Sequence, residues 1–431
     1  MPEAVIVGGV RTPFARAAAE FNDIPAQDLG RLAVRELFDR FDLDPAEVDE
    51  LIAGNVASPI DAANVSRVIA LRAGIPKDRI AHTVNRNCAS GMEAVTEAVE
   101  RVESGSANCV VAVGVDSMSN IPVYLGKRFT NKMLPLARAK TALDRLKVFG
   151  SFRPSDLKPI IGIKVGLTDP VSGLMMGETA EKLAREFDIS RERQDEFALK
   201  SHHKATAAWE AGRLAGETMP VYAGADAKPI AEDSGPRADQ SLDKLAKMRP
   251  YFDPRWGTVT VGNSCGVTDG AAALLVMSAD KARALGYEPL GRVRGYAYAG
   301  CDPSRMGLGP VFATARALDA TKMRLDEMEL IELNEAFAAQ VLACLEGFRN
   351  PERVCSAEEG ANRLSALDEG KLNVNGGAIA LGHPVGATGA RLVLTLLNEL
   401  ARRDQTLGLA TLCVGGGQGA AVVVERLGKA A

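Results

Sequence analysis

Short apolar runs alternate with longer amphipathic stretches along most of the chain. The runs Ala4–Val7, Leu51–Asn55, Cys109–Val115 and Ala271–Ser278 read as strands, and a second series follows at Arg292–Ala299, Glu329–Leu333, Gly408–Val414 and Ala420–Glu425. Between them, apolar residues recur at helical spacing over Ala26–Arg40, Gly91–Val102, Ala336–Glu346 and Ala387–Arg402. Unbroken apolar strands separated by helices predict an α/β protein whose sheets are largely buried.

The two series resemble each other. Residues 50–55, ELIAGN, match 329–334, ELIELN, at four of six positions, about 280 residues apart. The segment TVNRNCASGMEAV (83–95) has the layout of NVNGGAIALGHPVGATGARLV (373–393): a strand, a glycine-bearing turn and a helix. VVAVGVDSMS (110–119) parallels LATLCVGGGQG (409–419) as the next strand and turn. The pattern predicts a duplicated α/β unit.

Residues from about 120 to 250 break the alternation and read as an excursion from the first copy, with helices over Glu178–Phe187 and Arg191–Ala211 and Ser190 as an N-cap. Within it, Lys127 to Lys164 holds ten Lys or Arg against two Asp, a net +8, so the rest of the chain sums to −12. Leu136, Ala139, Leu143, Leu146 and Phe149 recur there at helical spacing. Such a stretch suits a membrane surface, an acidic partner or an anionic ligand, or it is a solvated face packed on its own domain.

Composition narrows the classes. With 431 residues, 46% hydrophobic and 25% charged, the chain is a globular protein of two or three domains. A net charge of −4 speaks against nucleic acid as a partner. No apolar run approaches the ~20 residues of a membrane span. The start, MPEAVIVGG, enters a strand at once without the basic and apolar regions of a secretory signal, so a cytoplasmic location is expected. Seven widely spaced cysteines without a CxxC pair point to reduced thiols and against a zinc site. His202 and His203 are adjacent on a helix, about 100° apart, and make poor joint ligands.

Four segments carry candidate chemistry. Cys88 lies in NRNCASG between a strand and a helix, where the helix dipole and free N–H groups favour a thiolate nucleophile. His383, in the glycine-rich turn GHPVG, is suited to take a proton from a thiol. Cys413 precedes three glycines in TLCVGGGQG, a turn whose N–H groups, including that of Gly415, can hold an oxyanion. The glycine run leads into another strand, which excludes a dinucleotide fingerprint. Asn334, in NEAFAAQ, ends a strand, where ligands of α/β sheets collect.

Together the CASG cysteine, the NEAF segment, the GHPxGATG histidine and the C-x-GGG cysteine resemble the thiolase family, over essentially the whole chain. The resemblance implies duplicated βαβαβαββ halves in a layered αβαβα core. It sets an N-terminal half at 1–119 and 251–280, a loop domain at 120–250 and a C-terminal half at 281–431. It implies CoA-dependent, reversible Claisen cleavage of a 3-ketoacyl-CoA, with coenzyme A as substrate and no permanently bound cofactor or metal, in fatty-acid β-oxidation. Cys88 would carry the acyl group, His383 would activate it, and Asn334 would hold a water that completes an oxyanion hole with His383. Cys413 would move the α-carbon proton, and the N–H groups of Cys88 and Gly415 would form a second hole. GTVTVGNSCGVTDGAAA (257–273) resembles the family's pantetheine-side segment, which puts Ser264, Cys265, Met176, Ala336 and Phe337 beside coenzyme A. The resemblance also implies a homodimer or tetramer, and the charge and apolar stripe of 127–164 leave a β-oxidation multienzyme partner or a peripheral membrane contact open there.

Three features depart from the common pattern. Cys265 stands where the family usually has Ser. Met175 stands where short-chain biosynthetic thiolases commonly have His. An insertion around 349–371 and the long basic segment resemble the β-subunits of trifunctional complexes, which often carry His at the position of Asn334. The alternatives are an acetoacetyl-CoA-forming thiolase, a decarboxylating ketoacyl synthase on the same fold and a non-catalytic lipid carrier.

Overall fold

A computed structural model describes residues 2–224 and 227–428. The chain divides into two compact units, one of residues 1–120 and 169–431 and one of 121–168.

In the larger unit the first copy runs β1 (Ala4–Arg11), α1 (Ala26–Phe41), β2 (Glu50–Gly54), α2 (Val65–Ala73), β3 (Ile80–Val84), α3 (Ser90–Glu103) and β4 (Cys109–Asp116). After α4 (Met176–Glu186) and α5 (Arg191–Glu210) it closes with β5 (Thr268–Ser278). The second copy runs β6 (Gly291–Gly300), α6 (Gly309–Thr321), β7 (Leu330–Leu333), α7 (Ala338–Arg349), α8 (Val385–Arg403), β8 (Leu407–Val414) and β9 (Gln418–Arg426).

The main strands order as β7-β8-β9-β6-β1-β5-β4-β2-β3, with the short strand Ala15–Arg16 added on β5. Each half repeats one pattern. β2 is parallel to β4 and β7 to β8, and the remaining neighbours in each half, β3 beside β2 excepted, are antiparallel. Among the described residues the strand ladders of the two halves join at the pair Ile6 with Gly291. The third strand of the second copy shrinks to one parallel bridge, Ile331 with Leu372, where the first copy has the whole of β3.

Alternate residues of the strands enter different cores, which makes five layers. α1 and α2 cover one outer face against Val111, Val113 and Leu275. α6 and α7 cover the other against Leu409 and Val423. α3 and α8 lie between the two half-sheets, on Ile52, Val110 and Leu274 from one and Leu412, Val422 and Val424 from the other. They cross closely: a Cβ on Gly91 would meet the Gly386 carbonyl oxygen at 2.5 Å. That crossing sets the starts of the two central helices side by side.

The expected helix over Ala336–Glu346 begins at Ala338. The segment before it is held outside the helix instead: Cys265 N–H donates to the Ala336 carbonyl at 3.0 Å, Ala338 N–H to that of Asn263 at 2.9 Å, and the extended Phe337 bridges Ser264.

The smaller unit holds a hairpin, Val123–Leu125 with Pro159–Ile161, and helices Lys127–Arg138 and Ala142–Gly150. Phe129 and Phe152 meet edge to face at 5.6 Å, and Lys132 pairs with Asp156 at 2.5 Å.

Candidate active site

Cys88 lies two residues before α3, in a turn tied on both sides. Asn87 takes a left-handed φ of 45° and its amide donates to the Gly415 carbonyl at 2.8 Å. Ser90 accepts from Arg86 N–H at 2.9 Å and donates to the Asn87 carbonyl at 2.7 Å. The glycine turn after Cys413 is thereby locked to the cysteine loop of the first copy. Gly416 and Gly417 in that turn have φ of 89° and 79°, and a Cβ on Gly417 would meet the Cys301 carbonyl oxygen at 2.4 Å.

The backbone N–H groups of Gly415 and of Cys88 itself lie where they favour charge on the Cys88 sulfur. The helix-start argument predicts an easily ionised thiol, and the structure shows the opposite balance. Burial pushes the Cys88 thiol up, the two N–H groups oppose it without prevailing, and the Asp116 carboxylate adds to the rise. At rest Cys88 is a thiol and needs a base.

Cys413 lies in β8 opposite Gly419 of β9 and is buried. Burial drives its thiol well above the ordinary range, and Cys88, Cys344 and Cys265 add to the rise. Cys265, half-buried, is pushed up to about 12, first by burial and then by Cys88. Three thiols, Cys88, Cys265 and Cys413, thus lie within electrostatic reach of one another.

His383 precedes α8 and is buried. Thr388 donates its hydroxyl proton to the Pro384 carbonyl at 2.9 Å, so it accepts from His383 Nδ1–H at 2.6 Å. That assigns the imidazole proton to Nδ1 and leaves Nε2 with a free lone pair. Burial, aided by the charge of Arg391, pushes the imidazole down to about 4, so it is neutral at physiological pH, with Nε2 open to accept a proton. Asn334 Nδ2 faces Nε2 at 3.5 Å, and its Oδ1 has no hydrogen-bond partner among the described residues.

The duplication is one of position more than of contact. Asn55, the counterpart of Asn334, turns its amide to Asp116 Oδ1 at 2.8 Å and to the Val115 carbonyl at 2.9 Å. Asp116 also accepts from Val56 N–H at 3.0 Å and Ala57 N–H at 2.9 Å, and from Gly386 N–H at 2.5 Å in the first turn of α8. One buried carboxylate thus joins the first copy to the helix that His383 precedes. Glu335 joins Ser201 Oγ at 2.6 Å, Asn373 Nδ2 at 2.8 Å and Ile379 N–H at 3.2 Å, which fixes the NEAF segment against the loop that leads to His383.

Of the other candidates, Met176 places its sulfur 3.4 Å from where a Cβ on Gly415 would stand. Ser264 spends its hydroxyl on the Thr260 carbonyl at 2.7 Å. Phe337 packs edge-on against Phe252 at 5.9 Å. Met175 caps α4, with its N–H on Glu178 Oε2 at 2.6 Å. Sequence reasoning passed over Asp116, Thr388 and Asn87. The lone Asp closing the apolar strand VVAVGVD was the signal for the first.

Residues 4–280 match the family described as thiolase, N-terminal domain, and residues 287–426 match thiolase, C-terminal domain. The chain belongs to the thiolase family. A 3-ketoacyl-CoA thiolase of Yersinia enterocolitica is 40% identical to this thiolase over 97% of the chain and 96% of its own length. One from Pectobacterium carotovorum is 41% identical over 97% and 95%. Among solved structures, human mitochondrial 3-ketoacyl-CoA thiolase superimposes with a TM-score of 0.87 at 36% identity, covering 99% of both chains. The human mitochondrial enzyme in complex with CoA gives 0.85 at 36% identity, over 99% of this chain and 98% of that one. The acetyl-CoA acetyltransferase of Bacillus anthracis gives 0.86 at 36% identity, covering 99% of both chains.

Proposed function

We propose that this thiolase cleaves 3-ketoacyl-CoA with free coenzyme A, giving acetyl-CoA and an acyl-CoA two carbons shorter. The observation that carries the reading is the convergence at Cys88: its loop is tied to the Gly415 turn through Asn87, a second thiol lies within electrostatic reach, and a neutral imidazole precedes the helix that crosses α3 at Gly91.

His383 Nε2 takes the Cys88 proton as the sulfur bonds the 3-keto carbon. The C2–C3 bond then breaks, and its electron pair passes to the acetyl-CoA enolate while the acyl group stays on Cys88. The Cys413 thiol, protonated because burial disfavours its anion, gives its proton to C2. Its thiolate recovers a proton from the incoming coenzyme A thiol, which attacks the acyl-cysteine. Cys88 leaves as thiolate and regains its proton from His383. The N–H groups of Cys88 and Gly415 are suited to hold the acyl oxygen on the sulfur, and Asn334 with His383 the enolate oxygen. Cys265, Met176 and Phe337 would flank the pantetheine arm. The shortening by two carbons suits stepwise β-oxidation. The open edge strand β3, with Ile80 exposed, supports a homo-oligomer, which sedimentation at micromolar concentration tests.

The test of function is acetyl-CoA release from 3-ketoacyl-CoA substrates of graded length, with and without coenzyme A. Release strictly dependent on coenzyme A is expected. Release by decarboxylation, or none at any length, contradicts the reading.

A further inference from the structure

Behind the NEAF segment, a cavity of about 240 Å³ opens between α5 and residues 369–373, where the insertion around 349–371 ends. It is smaller than the ~300–1,000 Å³ of drug-sized sites, so it suits a small guest. None of the proposed chemical steps passes through it.

The floor of the cavity is the back of Asn334. Asn373, at a left-handed φ of 42°, accepts from Leu333 N–H at 2.9 Å. Its Nδ2 donates to the Leu333 carbonyl at 2.9 Å and to Glu335 at 2.8 Å. One amide thus grips the residues on both sides of Asn334. Lys204 Nζ in turn donates to the carbonyl of Leu372, the residue before Asn373, at 2.7 Å. Glu335, Leu372, Asn373 and Lys204 all line the cavity, so a guest there touches the hold on Asn334.

The charges select the guest. Lys200 and Lys204 stand one turn apart on the same face of α5. Neither has a carboxylate at ion-pair distance among the described residues. Burial holds the Lys204 ammonium below its ordinary range; Glu335 and Glu332 oppose that without prevailing, and Lys200 adds to it. Glu335 offers nothing to a cation, since Ser201, Asn373 and the Ile379 N–H occupy its oxygens. Glu369 at the mouth is exposed, and solvent screens it. Half-buried Phe197 and buried Leu372 supply the apolar wall.

We propose that this cavity binds a small organic carboxylate, with its anionic end on Lys200 and Lys204 and a short apolar tail against Phe197 and Leu372. A carboxylate on Lys204 draws the ammonium from the Leu372 carbonyl and loosens the grip of Asn373 around Asn334. Binding itself is independent of the reaction proposed above; the effect on kcat rests on it.

Butyrate is titrated into the full-length protein and followed by saturation-transfer NMR. It is run beside n-butanol and n-butylammonium, which match its tail, and inorganic phosphate, which has none. Saturable binding of butyrate is expected, with weaker binding of phosphate and none of the neutral and cationic probes. Lys200→Gln should weaken butyrate binding about tenfold, the size of one charge-assisted hydrogen bond. Glu369→Gln, which removes the opposing charge at the mouth, should tighten it about threefold. Both side chains are exposed, so both variants should fold and keep the wild-type kcat without butyrate. In the wild type, butyrate should lower kcat at saturating 3-ketoacyl-CoA and coenzyme A, and in Lys200→Gln the same concentration should lower it less. Alkylation of Cys88 with iodoacetamide should leave butyrate binding unchanged. Binding lost on that alkylation would place butyrate at Cys88 and overturn the proposal. Equal affinity in Lys200→Gln, or n-butanol or phosphate binding as well as butyrate does, would overturn it too. Butyrate binding with no change in kcat, while acetyl-CoA release proceeds, would overturn the coupling to Asn334 and leave the reaction standing.

Discussion

Cys88 and Cys413 are both thiols pushed upward by burial, yet the proposed reaction asks different things of them. At Cys88 the backbone of Gly415 and of Cys88 itself favours charge on the sulfur; Cys413, among the neighbouring thiols, has a stronger reason to stay protonated. Cys413→Ser should therefore nearly abolish exchange of acetyl-CoA methyl protons with solvent while most acylation of Cys88 survives. Exchange near the wild-type rate would make another group the base. His383→Asn should cost roughly 10²–10⁴-fold in rate, the usual range for a base or an oxyanion donor, and Asn334→Ala less. Because the imidazole is pushed down to about 4, its neutral form persists well below pH 6.5, and the kcat/KM profile should hold until about pH 5. An acid limb centred near 6.5 would mean a solvated imidazole. These four residues were legible because their chemistry is written in short motifs. Their supports were not: Asp116 and Thr388 act through partners far along the chain or through a tautomer, and neither leaves a local pattern.

The duplicated strands and helices were legible to within a few residues, since buried strands in an α/β sheet are continuous apolar runs. The late start of α7 was not, because residues 263–265 claim the NEAF backbone from a distant segment. The crossing of α3 and α8 rests on absent side chains. Gly91→Ala places a methyl at 2.5 Å from the Gly386 carbonyl, and a loss of about 1–3 kcal/mol with reduced activity is expected from denaturant unfolding. An unchanged midpoint would mean that the helices can slide apart. Asp116, which ties β4 to α8, is pushed up to about 6, chiefly by burial. The folded protein then binds that proton more tightly than the unfolded chain does. Relative to Asp116→Asn, the wild type should gain stability as pH falls from 7 through 6 towards 4. A difference independent of pH would contradict the buried carboxylate.

At the scale of the molecule, Arg11 of β1 reaches segments more than 200 residues away. It is buried and pairs with Asp233 at 2.7 and 2.9 Å and with Glu217 at 2.7 Å. Arg11→Ala would leave two buried carboxylates unpaired, at a cost of about 3–5 kcal/mol, read as a lowered urea midpoint. Arg11→Met should lose as much, since it too strands the carboxylates; a neutral result for both would deny the network its role. No helix among the described residues is long and apolar enough to cross a membrane. The proposed reaction turns on one covalent event, an acyl group carried by the cysteine loop of the first copy and activated by the imidazole of the second. The most direct measurement is the mass of peptides from protein incubated with a 3-ketoacyl-CoA in the absence of free coenzyme A. An acyl increment is expected on the peptide containing Cys88, removed on adding coenzyme A and absent in Cys88→Ala. Label on the Cys413 peptide with none on Cys88, or no covalent label while acetyl-CoA is still released, would contradict the proposed reaction.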